Sequence, residues 1–158
     1  MENVENNTIV TEELLQLVSF KIGEAEFGVD ILRVQEINKM MELTSVPNTP
    51  TFVEGVVNLR GRIIPVLNLR SRLGLEVKEY DSETRIIVVD LNEKTIGFIV
   101  DEVKEVLRIP KSITEQPPDV VSGVNSAYIT AIGKLEDRLL ILLDLTKILT
   151  NEEVNELG

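Results

Sequence analysis

The chain contains no histidine, no cysteine and no tryptophan, and aromatic residues make up only 4% of its 158 positions. Without histidine it lacks the usual general base at neutral pH. Without cysteine it has no thiol nucleophile and no disulfide, and the commonest zinc ligands are all missing. Stability therefore rests on packing, and the core must be aliphatic. So few aromatic side chains also leave poor stacking platforms for single-stranded nucleic acid. The phosphate-cradling patterns Gly-x-Gly-x-x-Gly and Gly-x-x-x-x-Gly-Lys-[Ser/Thr] do not occur, and neither does Gly-x-Ser-x-Gly.

Positive charge is also scarce. Sixteen Lys and Arg face 27 Asp and Glu, a net charge of −11. A field of that sign repels phosphate backbones and anionic lipid, so neither nucleic acid nor direct membrane insertion is expected. No apolar run approaches the roughly 20 residues of a bilayer span. The start, Met1-Glu2-Asn3-Val4-Glu5, lacks the basic residues and apolar stretch of a signal peptide. The expectation is a cytoplasmic protein with no metal and no cofactor.

Carboxylates are plentiful, and pairs of them alone can run acid–base chemistry. Asp101-Glu102 and Glu136-Asp137 are the candidates, but both fall at strand ends or turns, where solvated charges are ordinary. The run Asp90…Asn92-Glu93 lacks the ordered spacing of a calcium loop and reads better as a hairpin turn. A hydrolase built only on Asp and Glu is the least supported reading, and the chain is expected not to be an enzyme.

What is present is a large aliphatic complement: 43% of residues are hydrophobic, enough for one domain or two small halves sharing a core. Residues 1–14 are polar and acidic and read as a flexible tail. Alternation of apolar residues predicts a first strand over Leu15–Phe20, a turn around Gly23, and strands over Phe27–Ile31 and Val34–Ile37 with a break near Asp30. Thr49, Pro50 and Gly55 are spaced like the cap, first position and end of a short helix. A β-hairpin follows, Gly55–Leu59 and Arg62–Leu69 around Arg60-Gly61, with Pro65 expected at a bulge or an edge. The second half predicts strands over Arg85–Leu91, Thr95–Val100 and Val103–Ile109, then a long connection containing Pro117-Pro118. A last hairpin follows, Tyr128–Leu135 and Arg138–Leu145 around Glu136-Asp137. A terminal helix is expected over 146–157, with Thr150 and Glu153 placed as a capping box.

The two halves repeat. Gly28 matches Gly97 at an offset of 69, and Phe27, Val34, Glu36 and Ile37 then match Ile96, Val103, Glu105 and Val106. Arg62 matches Arg138 at an offset of 76, carrying Phe52, Leu59, Ile63, Leu67 and Leu69 onto Tyr128, Leu135, Leu139, Leu143 and Leu145. With about five short strands in each half, the expected fold is mainly β. It consists of two small barrels around a shared apolar core, the first over roughly 15–80 and the second over roughly 84–145.

The best candidates for function lie on this frame. Asn58-Leu59-Arg60-Gly61 puts a guanidinium beside a tight turn, and Arg offers a planar fork of donors suited to carboxylates on a partner. The alternative is that Arg60 only caps its turn and pairs with a local Glu. Val34, with Glu36 on the same extended segment, would line an apolar groove with Val103 and Val106 if it lies near a junction between barrels; otherwise it is core.

Taken together, Phe27-Gly28-Val29-Asp30-Ile31-Leu32-Arg33-Val34-Gln35-Glu36-Ile37, Pro47…Pro50, Gly55-Val56-Val57-Asn58-Leu59-Arg60-Gly61 and Pro65-Val66-Leu67-Asn68-Leu69-Arg70 resemble the chemotaxis coupling proteins of the CheW family. Thr95-Ile96-Gly97-Phe98-Ile99-Val100-Asp101 and Asp137-Arg138-Leu139-Leu140-Ile141-Leu142-Leu143-Asp144 agree, and the resemblance runs from about Leu15 to Leu149. It implies two SH3-like five-stranded barrels and no catalysis. It also implies an adaptor that bridges the cytoplasmic tip of transmembrane chemoreceptors to the regulatory domain of the histidine kinase CheA, in arrays at the membrane. Carried over by position, the receptor-facing groove would involve Val34, Glu36, Gly55, Arg60, Ile86, Gly97, Val103 and Val106. Arg60 would meet a receptor carboxylate and Glu36 a basic or polar group. The kinase face would lie near Leu43, Val46, Phe52 and Glu54, with a weaker second contact around Glu115 and Val120. A small β-barrel domain that binds another ligand or partner outside chemotaxis is the alternative.

Overall fold

The computed structural model describes residues 12–118 and 127–157. Strands β1 (Leu14–Ile22) and β2 (Ala25–Asp30) form a hairpin, and a 3-10 turn, η1 (Ile31–Arg33), leads into β3 (Val34–Lys39). A second hairpin, β4 (Gly55–Leu59) and β5 (Arg62–Asn68), ends in a one-turn helix, α1 (Leu69–Arg72). Then come β6 (Arg85–Leu91), β7 (Lys94–Val100), β8 (Glu102–Pro110), η2 (Lys111–Ile113) and the two-residue β9 (Thr114–Glu115). The chain ends with the hairpin β10 (Ile129–Lys134) and β11 (Leu139–Leu143), η3 (Leu145–Lys147) and α2 (Asn151–Glu156).

Hairpins form where the turn residues place them. Positive φ is taken up at Gly23, at Arg60 and Gly61, and at Asn92 and Glu93. The Thr150/Glu153 capping box is complete and starts α2 at Asn151, so the expected helix over 146–157 is shorter, Leu145–Lys147 being the 3-10 turn η3 that Asp144 caps. Two expectations fail. Residues 49–55 hold no helix: the Val53 amide bonds the Pro50 carbonyl in a single turn, and the next amide, Glu54, is captured by the Val66 carbonyl at 2.8 Å. Sheet pairing thus overrides the capping signal, and Gly55 begins a strand instead of ending a helix. Pro65 is at neither a bulge nor an edge. It sits opposite Val56 in an unbroken register, on a strand flanked by β4 and β7. Val56 turns its own amide and carbonyl away toward Thr44, and pairing of β5 with β7 begins only at Val66, so no neighbour needs the amide hydrogen that proline lacks.

The strands fall into two sheets, ordered β8-β1-β2-β11-β10-β9 and β3-β6-β7-β5-β4. The internal repeat is visible in them, with β1, β2, β11, β10 and β8 in one sheet corresponding to β6, β7, β5, β4 and β3 in the other. Even the mixed pairing repeats: Gly28 on β2 runs parallel to Leu142, and Gly97 on β7 runs parallel to Val66. The sheets do not, however, follow the sequence halves of 15–80 and 84–145. The first hairpin of each half joins the sheet that holds the later strands of the other half, so the repeats are reciprocally exchanged.

Both sheets curl. Laid flat, six strands at about 4.8 Å spacing would separate the outermost pair by about 24 Å. Yet β8 ends at Pro110 and β9 begins at Thr114 on the opposite edge, a span that four residues bridge only up to about 14 Å. The other sheet closes directly: Thr44, five residues beyond β3, exchanges two 2.9 Å backbone hydrogen bonds with Val56 on β4.

Period-two alternation then sorts the aliphatic side chains into three cores. On β6, Ile86 and Val88 point into the closed barrel with Val57, Leu59, Ile64, Val66 and Ile99. The intervening Ile87 and Val89 face the other way, into a larger core shared by both sheets. This core holds Val18, Phe20, Phe27 and Val29 from one sheet, Leu67, Ile96, Phe98 and Val100 from the other, and Leu145, Ile148, Leu149 and Val154 from the C-terminal segment. The six-stranded sheet has a smaller interior of Leu17, Ile109, Leu140 and Leu142.

A polar clasp closes the seam between sheets. Arg70 on α1 donates through Nε and Nη2 to the two carboxylate oxygens of Asp101, at 2.9 and 2.7 Å, and through Nη1 to the Glu76 carbonyl. Asp101 also accepts from the Gly23 amide at the tip of the β1–β2 hairpin, at 2.7 Å. Its own amide bonds the Lys21 carbonyl. The two side chains are 17% and 11% exposed.

Two measurements check this account. Desolvation pushes the Asp101 carboxyl up, but its hydrogen bonds from Arg70 and the Gly23 amide and the nearby positive charges of Arg70 and Lys78 outweigh it, so the folded-state value lies below the ordinary carboxylate range. A lowered folded value means its stabilisation is complete above the unfolded value of about 3.9 and is lost as pH falls through the folded one. Asp101→Asn should therefore lower stability at pH 7 by about 2–3 kcal/mol and flatten the acid limb of a denaturation-against-pH curve. An unchanged limb would show that the pair is idle. In the closed barrel, a Cβ on Gly97 would lie 2.8 Å from Ile86 Cγ2. Gly97→Ala should cost about 1–3 kcal/mol by overpacking, and adding Ile86→Val should not recover it, because valine keeps a γ-methyl there, whereas Ile86→Ala should recover part of it.

Candidate functional site

The mouth of the closed barrel carries a set of paired polar side chains. It is built by the β4–β5 turn, where Arg60 and Gly61 have φ of 53° and 88°. Two consecutive positive φ values match the twist of the flanking strands, and the Asn58 side chain holds the turn by accepting from the Gly61 amide at 2.8 Å. Arg60 is thereby held at the tip of the hairpin with its side chain 73% exposed, and its guanidinium pairs with Glu36 on β3. Glu36 also accepts from Asn38 at 3.1 Å.

A second polar chain runs alongside, through residues not among the expected receptor-facing set. Arg62 Nη2 donates to Thr95 Oγ1 at 2.7 Å, Thr95 donates to Asp90 at 3.0 Å, and Gln35 donates to the other Asp90 oxygen. Four strands, β3, β5, β6 and β7, are tied together here. The available signal was the placement of Gln35 and Arg62 next to Glu36 and Arg60, and of Asp90 and Thr95 astride one turn.

The expected receptor-facing residues divide by environment. Glu36 and Arg60 meet directly, so in the free protein each satisfies the other, as the turn-and-local-Glu alternative requires. An exposed ion pair of this kind contributes at most about 1 kcal/mol, so exchange for a partner's charges is cheap. Val34 and Val103 are half-buried against the shared core, from β3 and β8, while Val106 is 56% exposed. Three others lie inside. Ile86 is fully buried in the barrel interior, so its side chain cannot touch a partner. Gly97 is the place in that interior that Ile86 and Val66 fill. Gly55 is buried where a Cβ would strike the Thr44 carbonyl oxygen at 2.9 Å, so it permits the bridge that closes the barrel.

The other expected face is the segment 40–54 between β3 and β4. Val46 and Glu54 are exposed there, and Leu43 is half-buried against the barrel interior. Phe52 is half-buried against the shared core, with the Arg72 guanidinium 5.9 Å from its ring centroid. Tyr80, an exposed aromatic that the motifs did not single out, brings its hydroxyl to 3.4 Å from Glu54. Burial, and then the Glu54 charge, push this phenol above its ordinary range. Glu115 is exposed on β9 and pairs with Lys134. Val120 lies outside the described residues.

The carboxylate pairs take no shape suited to catalysis: Asp101 belongs to the clasp with Arg70, and Asp137 pairs with Arg138 on the surface. Among the described residues, no group of three or more Asp and Glu is placed to hold a metal ion, and no helix is long and apolar enough to cross a membrane.

Comparison with known proteins agrees with this architecture. The CheW-like domain family model matches residues 16–153. A "Chemotaxis protein CheW" from Klebsiella aerogenes is 37% identical over 139 residues, covering 88% of this chain and 84% of that protein. One from Thermotoga maritima is 38% identical over 89% of this chain and 91% of its own. The crystal structure of the scaffolding protein TtCheW from Thermoanaerobacter tengcongensis superposes with a TM-score of 0.80 at 35% identity, over 89% of this chain and 96% of that one. The chain belongs to the CheW family of chemotaxis scaffold proteins, which are not enzymes.

Proposed function

We propose that this scaffold couples the cytoplasmic tip of chemoreceptors to the regulatory domain of the histidine kinase CheA, working in the cytoplasm and recruited to receptor arrays at the membrane. The observation that carries the reading is the exposed Arg60–Glu36 pair on the barrel mouth, close in sequence to the half-buried Val34. A receptor tip is a helical hairpin, and recognition of a helix in a groove needs apolar anchors with charges that fix register. Val34, Val103 and the exposed Val106 supply the first; Glu36 and Arg60, with Arg62 and Asp90 behind them, supply the second. Ile86, Gly97 and Gly55 support that surface from within. The kinase face is the segment with Val46, Phe52 and Glu54, to which Tyr80 adds an aromatic of the kind that carries binding energy at interfaces.

A charge swap separates the receptor role of Arg60 from its role in the turn. Arg60→Glu should leave the fold intact, because an exposed turn charge rarely costs much, and should weaken receptor coupling. Arg60→Glu combined with Glu36→Arg restores the internal pair. If a receptor carboxylate reads Arg60, receptor co-assembly stays weak in the double variant; full recovery would reduce the pair to a structural feature of the turn.

The kinase side is tested by calorimetric titration with the regulatory domain of a histidine kinase from the same cell. Saturable one-to-one binding, abolished by Phe52→Ala, is the expected result. No binding between two folded proteins would favour the reading of a barrel with a partner outside chemotaxis.

A further inference from the structure

The segment 40–54 contains no helix and no strand, and backbone hydrogen bonds tie it down at Thr44–Val56 and Glu54–Val66. Its one aromatic side chain, Phe52, is what seats it on the shared core. What lies over that ring is the guanidinium of Arg72, at the end of α1. Arg72 has its terminal nitrogens committed elsewhere: Nη1 and Nη2 each donate at 2.9 Å to one oxygen of Glu153, and Nη2 also donates to the Ile148 carbonyl at 3.0 Å. Glu153 in turn is fixed by the capping box of α2, accepting from the Thr150 amide at 2.9 Å. The helix is anchored by Val154, Leu149 and Ile148, all buried in the shared core. Arg72 and Glu153 are each only 24% exposed, so this forked pair is better shielded from solvent than the Arg60 pair.

We infer that the C-terminal helix sets the shape of the kinase-facing surface: Glu153 orients Arg72, and the guanidinium plane of Arg72 holds Phe52 and with it the loop carrying Val46 and Glu54. This rests on the reading of that loop as the kinase face. Glu153 and Arg72 are positioning residues, acting through Phe52, and the C-terminal segment becomes a means by which kinase affinity is tuned without altering the receptor surface. A planar fork is required for this arrangement, because Arg72→Lys would keep the charge but could not set two parallel N–H groups on the two Glu153 oxygens, and so would not be held in a fixed orientation beside the ring.

The test uses the full chain and three variants, each titrated with the kinase regulatory domain and separately assayed for receptor co-assembly. Glu153→Gln keeps a residue that completes a capping box, so α2 is retained while the charge-assisted fork is weakened. Arg72→Lys removes the fork from the other side. Phe52→Ala reports on the face itself. The expected result is kinase affinity about five- to tenfold weaker in Glu153→Gln and Arg72→Lys. Receptor co-assembly should be unchanged, and the Phe52 ring resonances should be displaced in the NMR spectrum. Loss of kinase binding in Phe52→Ala with wild-type affinity in Glu153→Gln and Arg72→Lys would overturn the relay and leave the kinase face standing. Wild-type affinity in Phe52→Ala would overturn both. Parallel loss of kinase and receptor binding in Glu153→Gln would show that α2 serves general stability, and would also overturn the inference.

Discussion

The whole arrangement depends on β6 and β7 being buried on both faces. Their even- and odd-numbered residues serve different cores: Ile86 and Val88 fill one barrel, and Ile87 and Val89 weld it to the other sheet. Neither barrel can be removed without exposing the shared core. The chain enforces this by exchanging its repeats, since each hairpin is covalently continuous with strands that pair in the opposite sheet. Separation of the two sequence halves would break β1–β8 and β3–β6 pairing as well as apolar contact. In a scaffold protein such interlocking ties the surfaces of the two barrels to one shared core.

Rigidity inside contrasts with reversibility outside. The polar groups on the barrel mouth are paired with each other in exposed or half-exposed geometry, where each pair contributes little and is screened by salt. The pairs that hold the molecule together, Arg70 with Asp101 and Arg72 with Glu153, are forked, supplemented by backbone donors or acceptors, and shielded. The carboxyls of Asp101 and Glu153 respond alike: burial raises them, their arginine partners outweigh that effect, and both settle below the ordinary range. One set of arginines is thus committed to the fold, and another is available for exchange.

Much of this was legible from residues. Alternating apolar runs located the main strands, turn residues located the hairpins, and the offsets of 69 and 76 revealed the repeat. The exchange was not legible, because alternation says which face of a strand is buried and nothing about which strand lies beside it. Two local signals misled for the same reason. Thr49-Pro50 has the chemistry of a helix start and Pro65 that of a strand edge, yet in both places non-local pairing decided the backbone. Ile86, Gly97 and Gly55 show the limit of motif-based site assignment. A motif does not separate the constraint on a glycine that leaves room for Ile86 Cγ2 from that on an arginine exposed at a turn.

Distinguishing those two kinds of constraint requires the side-chain environment, and here it redraws both candidate surfaces. On the barrel mouth, the buried positions drop out and Arg62, Thr95, Asp90 and Gln35 enter, since they brace the strands from which Arg60 and Glu36 project. On the other candidate face, Phe52 is half-buried and anchors the segment that carries Val46 and Glu54 to the shared core. Tyr80 and the C-terminal helix adjoin that surface, Tyr80 through Glu54 and the helix through the Glu153 that holds Arg72 beside Phe52. Side chains from distant strands converge at the ends of the barrels, so a single-residue substitution is interpretable only once it is assigned to the interior, the seam or the exposed rim.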